Sequence, residues 1–266
     1  MSAPHEANDR YLVPGLARGL QLLACFSRQE PRLTGAELSR RLQVPRASVF
    51  RMLQTLEQMG YVQRTADSAH YQLGIGTLRL GFEYLASMEL AEHGRIVIDE
   101  LRDQTGYTAH VVVRDGREVV VVVKAPGRSA MFNAIQVGAR LPAHATVLGR
   151  VLLADLSLDE LATLYPEPQL AAFTDRTPTS LSQLKALIDV DRRNGFGVSQ
   201  GGFEAGISTL AAPVFNGQHR VVATVSVTVP AQTLSDVQLA QLLPQVQQAA
   251  NQLTARIHHQ AHAPNP

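Results

Sequence analysis

Thr34-Gly35-Ala36-Glu37-Leu38-Ser39-Arg40-Arg41-Leu42-Gln43-Val44-Pro45-Arg46-Ala47-Ser48-Val49-Phe50-Arg51-Met52-Leu53-Gln54-Thr55-Leu56-Glu57-Gln58-Met59-Gly60 decides the fold of the N-terminal part of this chain. Thr34 and Glu37 are spaced as a capping box, in which each side chain takes an orphan backbone amide, so a helix opens over residues 36–42. Gln43-Val44 is the turn, and Pro45 pre-sets the backbone for a second helix. Val49, Met52, Leu53 and Leu56 fall at i, i+3, i+4 and i+7 of that helix and form one buried stripe. Ala47, Arg51, Gln54 and Gln58 share the opposite face, flanked by Ser48, Phe50 and Thr55. Gly60 stops the helix. Residues 61–64 and 70–73 then flank a polar turn as a small hairpin. Helix, turn, helix and hairpin in this order make a winged helix-turn-helix, a DNA-reading device.

Charge supports that reading. Residues 14–80 hold nine arginines against four acids, whereas residues 81–266 hold 14 basic residues against 17 acids. The chain as a whole carries a net charge of only +1. The excess positive charge therefore sits where phosphate neutralisation needs it. Arg51, Gln54, Thr55 and Phe50 are candidate base readers, with Arg46 and Ser48 in the first helical turn beside them. Arg18 near the start of a first helix and Arg64 in the wing are candidate phosphate contacts. In that first helix Val13, Leu16, Leu20 and Leu23 are expected to form the apolar side, with Gly19 at a close helix crossing.

At 266 residues the chain exceeds a usual single domain. Residues 1–12 read as a disordered arm, 13–74 as the DNA-binding domain, 75–89 as a linker helix and 90–260 as a second domain. There the pattern becomes mixed: a helix to about Thr105, strands over 108–114 and 118–124 around Asp115-Gly116, and strands over 208–215 and 221–229. Ser157-x-x-Glu160 and Ser180-x-x-Gln183 open two helices, and a last helix runs over 235–257. The fold class is α+β.

No apolar run approaches the roughly 20 residues of a membrane span, and residues 1–10 hold no secretory core, so the expected location is the cytoplasm. The lone Cys25 reads as a small core residue. His258, His259 and His262 lack an acidic or cysteine partner and read as a frayed tail, so no metal is expected. His110 reads as a satisfied core or pocket-wall histidine, and His144 as structural. Gly201-Gly-Phe-Glu-Ala-Gly206 lacks the spacing of a phosphate loop. With no nucleophile elbow, zinc motif or carboxylate pair, the chain is expected to be neither an enzyme nor a cofactor carrier.

Pro14-Gly-Leu-Ala-Arg-Gly-Leu20, residues 51–62, Leu141-Pro-Ala-His-Ala-Thr146 with Gly149, and Gly206 through Ala211-Ala-Pro-Val214 resemble the signatures of IclR-type transcriptional regulators. The resemblance spans about residues 11–258. It implies a winged helix, a linker helix that helps dimerise, and a GAF-like effector domain binding a small, often carboxylated metabolite. Residues 138–154 are similar to the subgroup that regulates aromatic-acid and related catabolic operons. Implied partners are double-stranded operator DNA, a small organic acid and further copies of the chain, in a homodimer or a tetramer. Carried over by the resemblance, the effector residues are Asn133, Leu141, Val147, Leu148, Ser199, Ile207, Thr209, Ser226 and Thr228. The sequence departs from the family pattern where Ser199 or Gln200 replaces a common acid and Thr209 a common cysteine. Losing the acid favours an anionic ligand or a larger neutral one. Backbone amides at the helix start near Thr146 are expected to add donors and a positive dipole end. Rival readings are an enzyme with an appended DNA-binding module and an effector-independent silencer.

Overall fold

The computed structural model describes residues 11–128 and 135–260, in two compact units, 1–84 and 85–266. The first contains α1 (Pro14–Ala24), β1 (Leu33–Thr34), α2 (Gly35–Leu42), α3 (Arg46–Gln58), β2 (Val62–Arg64), β3 (His70–Leu73) and α4 (Gly76–Ala86). The capping box forms: Glu37 N donates to Thr34 Oγ1 at 3.2 Å, and Thr34 N donates to Glu37 Oε2 at 2.7 Å. Gln43 makes the turn in the left-handed region at φ 53°. Leu22, Leu38, Val49 and Leu53 close the core with Leu33, Val62 and Tyr71, each full burial stabilising by about 1.5–3 kcal/mol. The hairpin gains a third strand the sequence did not announce, in the order β1-β3-β2. Its register pairs Leu33 with Tyr71 and Thr34 with His70.

The expectation for α1 is corrected. Val13, Leu16 and Leu20 are 62, 63 and 58% exposed, and the core is reached by Leu22 and Phe26. Gly19 faces open space, with no neighbour within 4 Å of a built Cβ. Their stripe is a second apolar side that this unit leaves uncovered. Gly74 does make a close approach, because a Cβ there would lie 2.3 Å from the Gly60 carbonyl oxygen.

The second unit holds a six-stranded antiparallel sheet in the order β6-β5-β4-β9-β8-β7. The strands are β4 (Thr108–Asp115), β5 (Glu118–Ala125), β6 (Arg140–Pro142), β7 (Gly197–Gln200), β8 (Ser208–Phe215) and β9 (Val221–Val229). One face, lined by Val111, Leu210, Ala212, Val225 and Val227, packs under α5 (Glu89–Thr105) and α9 (Asp236–Gln260). The other face is covered by α6 (Val147–Leu152), α7 (Leu158–Leu164) and α8 (Leu181–Asn194). A bulge shifts the β4–β5 register between Val111 and Val112. Val122 and Val123 consequently both join the α5/α9 core, while Val119 and Val121 face α6. The last helix is not frayed at residue 258, since the His258 ring nitrogen pairs with the Phe215 carbonyl at 3.1 Å. His259 and His262 carry no described side chain.

Candidate DNA interface and ligand cavity

On α3 the side chains of Arg46, Phe50, Arg51, Gln54 and Thr55 are exposed, and Ser48 is half-buried. Arg51, Gln54 and Thr55 line one open surface groove with Glu57 and Gln58. Among the described residues neither Arg46 nor Arg51 forms an ion pair, so both guanidinium groups are available to phosphate or base edges. Phe50 is 50% exposed; an aromatic ring outward on such a helix suits contact with a thymine methyl. Arg18 is exposed on α1. Arg64 is engaged: its Nε donates to Glu57 at 3.3 Å and its guanidinium lies 5.1 Å from the Tyr71 ring centre. The wing cation is thus fixed against α3 and Tyr71 before any DNA arrives.

In the second unit a cavity of about 260 Å³ opens on the α6 face of the sheet. Of the residues expected there, Leu141, Val147, Leu148, Ser199, Ile207, Thr209 and Thr228 line it. Register explains the polar ones. Ser199 pairs with Thr209, Thr209 with Thr228, and Thr228 with Thr108, so four hydroxyl residues form one rung across β7, β8, β9 and β4. Directly opposed residues share a face. Three of the four reach the cavity. Thr108 instead takes the Gly127 amide at 3.0 Å.

Two expectations change. Ser226 shares the face of Thr228 but is not in the lining. It lies one rung further, completely buried where α6 packs on β8 and β9, and its hydroxyl has no partner among the described residues. Helix α6 has six residues, and its Gly149 amide is already taken by Thr146 Oγ1 at 3.1 Å, so its start supplies neither the free donors nor the dipole expected. Asn133 lies outside the described residues.

Several lining groups escaped the sequence reading: Val121, Ile135, Thr146, Gly202, Phe203 and Glu204. The last three belong to a loop hinged by Gly201 at φ 73° and Gly206 at φ 79°, and paired glycines around Phe203-Glu204 were the available signal. Thr174 and Thr177 hydroxyls donate to the Gly202 carbonyl at 3.1 and 2.7 Å, and Phe173 packs on Phe203 with ring centres 5.0 Å apart. Glu204 also supplies an acid near where the family pattern puts one. His144 is structural, its ring nitrogen 2.9 Å from the Ala171 carbonyl.

His110 lines the cavity from β4 and is 4% exposed. It is not satisfied: its Nε2 is buried with no partner among the described residues. Burial, and secondarily the charge of Lys124, pushes its pKa down to about 4, so the imidazole is neutral at pH 7. Behind the cavity Arg150 Nε donates to Asp191 at 2.7 Å and its Nη2 to the Val198 carbonyl at 2.8 Å. This buried pair ties α6 to α8 and β7.

Comparison with known proteins decides the family. The model for the bacterial transcriptional regulator IclR C-terminal domain matches residues 82–255, and that for the IclR helix-turn-helix domain matches residues 15–66. The chain belongs to the IclR family. Its members are DNA-binding transcriptional regulators, not enzymes. HTH-type transcriptional regulator XynR of Escherichia coli (strain K12) is 30% identical over 90% of this chain and 94% of its own. The Pca regulon regulatory protein of Pseudomonas putida is 32% identical over 83% and 75%. A transcriptional regulator from Rhodococcus sp. RHA1 superposes with a TM-score of 0.80 at 34% identity, covering 92% of this chain and 98% of its own. An IclR regulator from Alicyclobacillus acidocaldarius gives a TM-score of 0.83 at 26% identity, covering 93 and 100%. No helix among the described residues is long and apolar enough to cross a membrane.

Proposed function

We propose that this IclR-family regulator acts in the cytoplasm as a homodimer that controls a catabolic operon in response to a small organic acid, aromatic acids included. The cavity carries the reading. Hydroxyls of Ser199, Thr209 and Thr228 on its sheet wall suit a carboxylate held by hydrogen bonds, and Val121, Leu141, Val147, Leu148 and Ile207 suit an apolar body. A volume of about 260 Å³ matches a single-ring compound. An effector-independent silencer would fill this space with side chains. Resemblance to a regulon regulator of Pseudomonas putida supports control of a catabolic operon. Dimerisation is supported by exposed Leu16 and Leu20 on α1 and by Leu78, Phe82 and Tyr84 on α4, an apolar surface too large to leave in water. In DNA reading, Arg46, Ser48, Phe50, Arg51, Gln54 and Thr55 face the major groove, and Arg18 and Arg64 take phosphates.

Thr209→Val tests the effector reading, measured as calorimetric affinity for a panel of organic acids and as operator affinity on the same protein. The expected outcome is loss of acid binding with apo operator affinity near wild type, because the two sites lie in separate units. Acid binding that survives unchanged places the pocket elsewhere. Operator binding that fails together with acid binding assigns the hydroxyl to the fold.

A further inference from the structure

The rung beside the hydroxyl rung is chemically different. It runs Ala211, Ser226, His110, Lys124 across β8, β9, β4 and β5. Lys124 Nζ donates to the Ile135 carbonyl at 2.6 Å, whereas His110 Nε2 and Ser226 Oγ, on paired residues, are both buried without a partner among the described residues. Buried polar atoms are satisfied in the great majority of folds, and an orphan marks a site where something else supplies the bond. Of the two, His110 is the one in the cavity lining.

We propose that His110 sets the ligand specificity of the cavity: it hydrogen-bonds a hydroxyl group of the effector, which is therefore a hydroxylated ring acid with the hydroxyl at the end opposite its carboxylate. The inference rests on the carboxylate reading of the hydroxyl rung. A neutral imidazole carries one N–H and one lone pair. A hydroxyl both donates and accepts, so it satisfies Nε2 in either tautomer, whereas a carboxylate only accepts. Neutrality follows from burial and from Lys124 on the same rung. Rungs two residues apart lie roughly 7 Å apart along a strand, which is close to the span of one six-membered ring with substituents at opposite ends. A ligand that fills the cavity without a hydroxyl leaves Nε2 desolvated and unpaired, and sites of this kind discriminate strongly against the analogue lacking the group.

The test is calorimetry on the full-length protein with benzoate, 4-hydroxybenzoate and 4-methylbenzoate, the last matching the hydroxyl in size without its hydrogen bonds. Wild type is expected to bind 4-hydroxybenzoate at least about tenfold tighter than 4-methylbenzoate. In His110→Leu the ratio falls to within about twofold, through weaker 4-hydroxybenzoate binding and not stronger methyl binding alone. His110→Asn, which keeps a polar tip, retains part of the preference and serves as the readout if the leucine variant fails to fold. Binding of the acids by wild type with no hydroxyl preference, or a preference that persists in either variant at full strength, overturns the role of His110 and leaves the carboxylate reading standing. Folded, operator-binding wild type that takes none of the three acids overturns both.

Discussion

Acidification should cost the second unit stability through one side chain. His110 titrates at about 4 in the fold against 6.5 for a free imidazole, so below pH 6.5 the unfolded chain binds a proton that the folded chain refuses. Its contribution is fully present above pH 6.5 and is lost as pH falls toward 4. The shift is worth about 3 kcal/mol at its limit, and the linkage relation puts the loss between pH 7 and pH 5 at about 2 kcal/mol. His110 is 4% exposed, so solvent screening does not reduce that figure. Other groups also titrate in this range, and the informative quantity is the difference between wild type and His110→Leu. Circular dichroism melts at pH 7 and pH 5 provide it. For a unit of this size about 2 kcal/mol corresponds to roughly 4–8 °C, so wild type should lose that much more Tm than the variant on acidification. At pH 7 the variant should be no less stable, having shed an unpaired buried nitrogen. Parallel losses in the two proteins would refute the argument, because they would show that His110 charges in the fold as readily as in the unfolded chain.

Arg51→Ala should weaken operator binding by about 1–3 kcal/mol with the fold intact; unchanged affinity in a folded variant removes Arg51 from the interface. Arg150→Met should destabilise the second unit by about 3–5 kcal/mol by stranding the Asp191 carboxylate, and adding Asp191→Leu should recover most of it, both read by urea denaturation. A double variant as unstable as the single one would mean the pair matters for more than mutual neutralisation. Gly149→Ala would put a Cβ 2.0 Å from the Ala143 carbonyl oxygen, an overlap expected to cost about 3 kcal/mol or more; a melting temperature equal to wild type would show that the α6 segment yields freely.

The DNA-reading unit was legible because its signals are local. The capping box closes within four residues, and the α3 stripe repeats within two turns. Strands β1, β6 and β7 were not legible, being two to four residues long and defined only by distant partners. The β5 bulge could not be read from Val119 to Val123, since a run of identical residues carries no phase. In the cavity, alternation correctly placed Thr228 and Ser226 on one face, but which of them meets open space depends on where α6 lands. His110 was noticed as a pocket-wall candidate, whereas its lack of a partner emerges only from tertiary packing.

Thr34 is at once the last residue of β1, paired with His70 of the wing, and the cap of α2. A helix start and a sheet edge that share one residue cannot open independently. The wing therefore does not flex as a separate flap: its amide protons and those of the first turn of α2 should exchange with solvent in the same opening event. The reading head is in this sense a single mechanical part, able to be moved or withheld by a signal from elsewhere in the chain but not retuned by it.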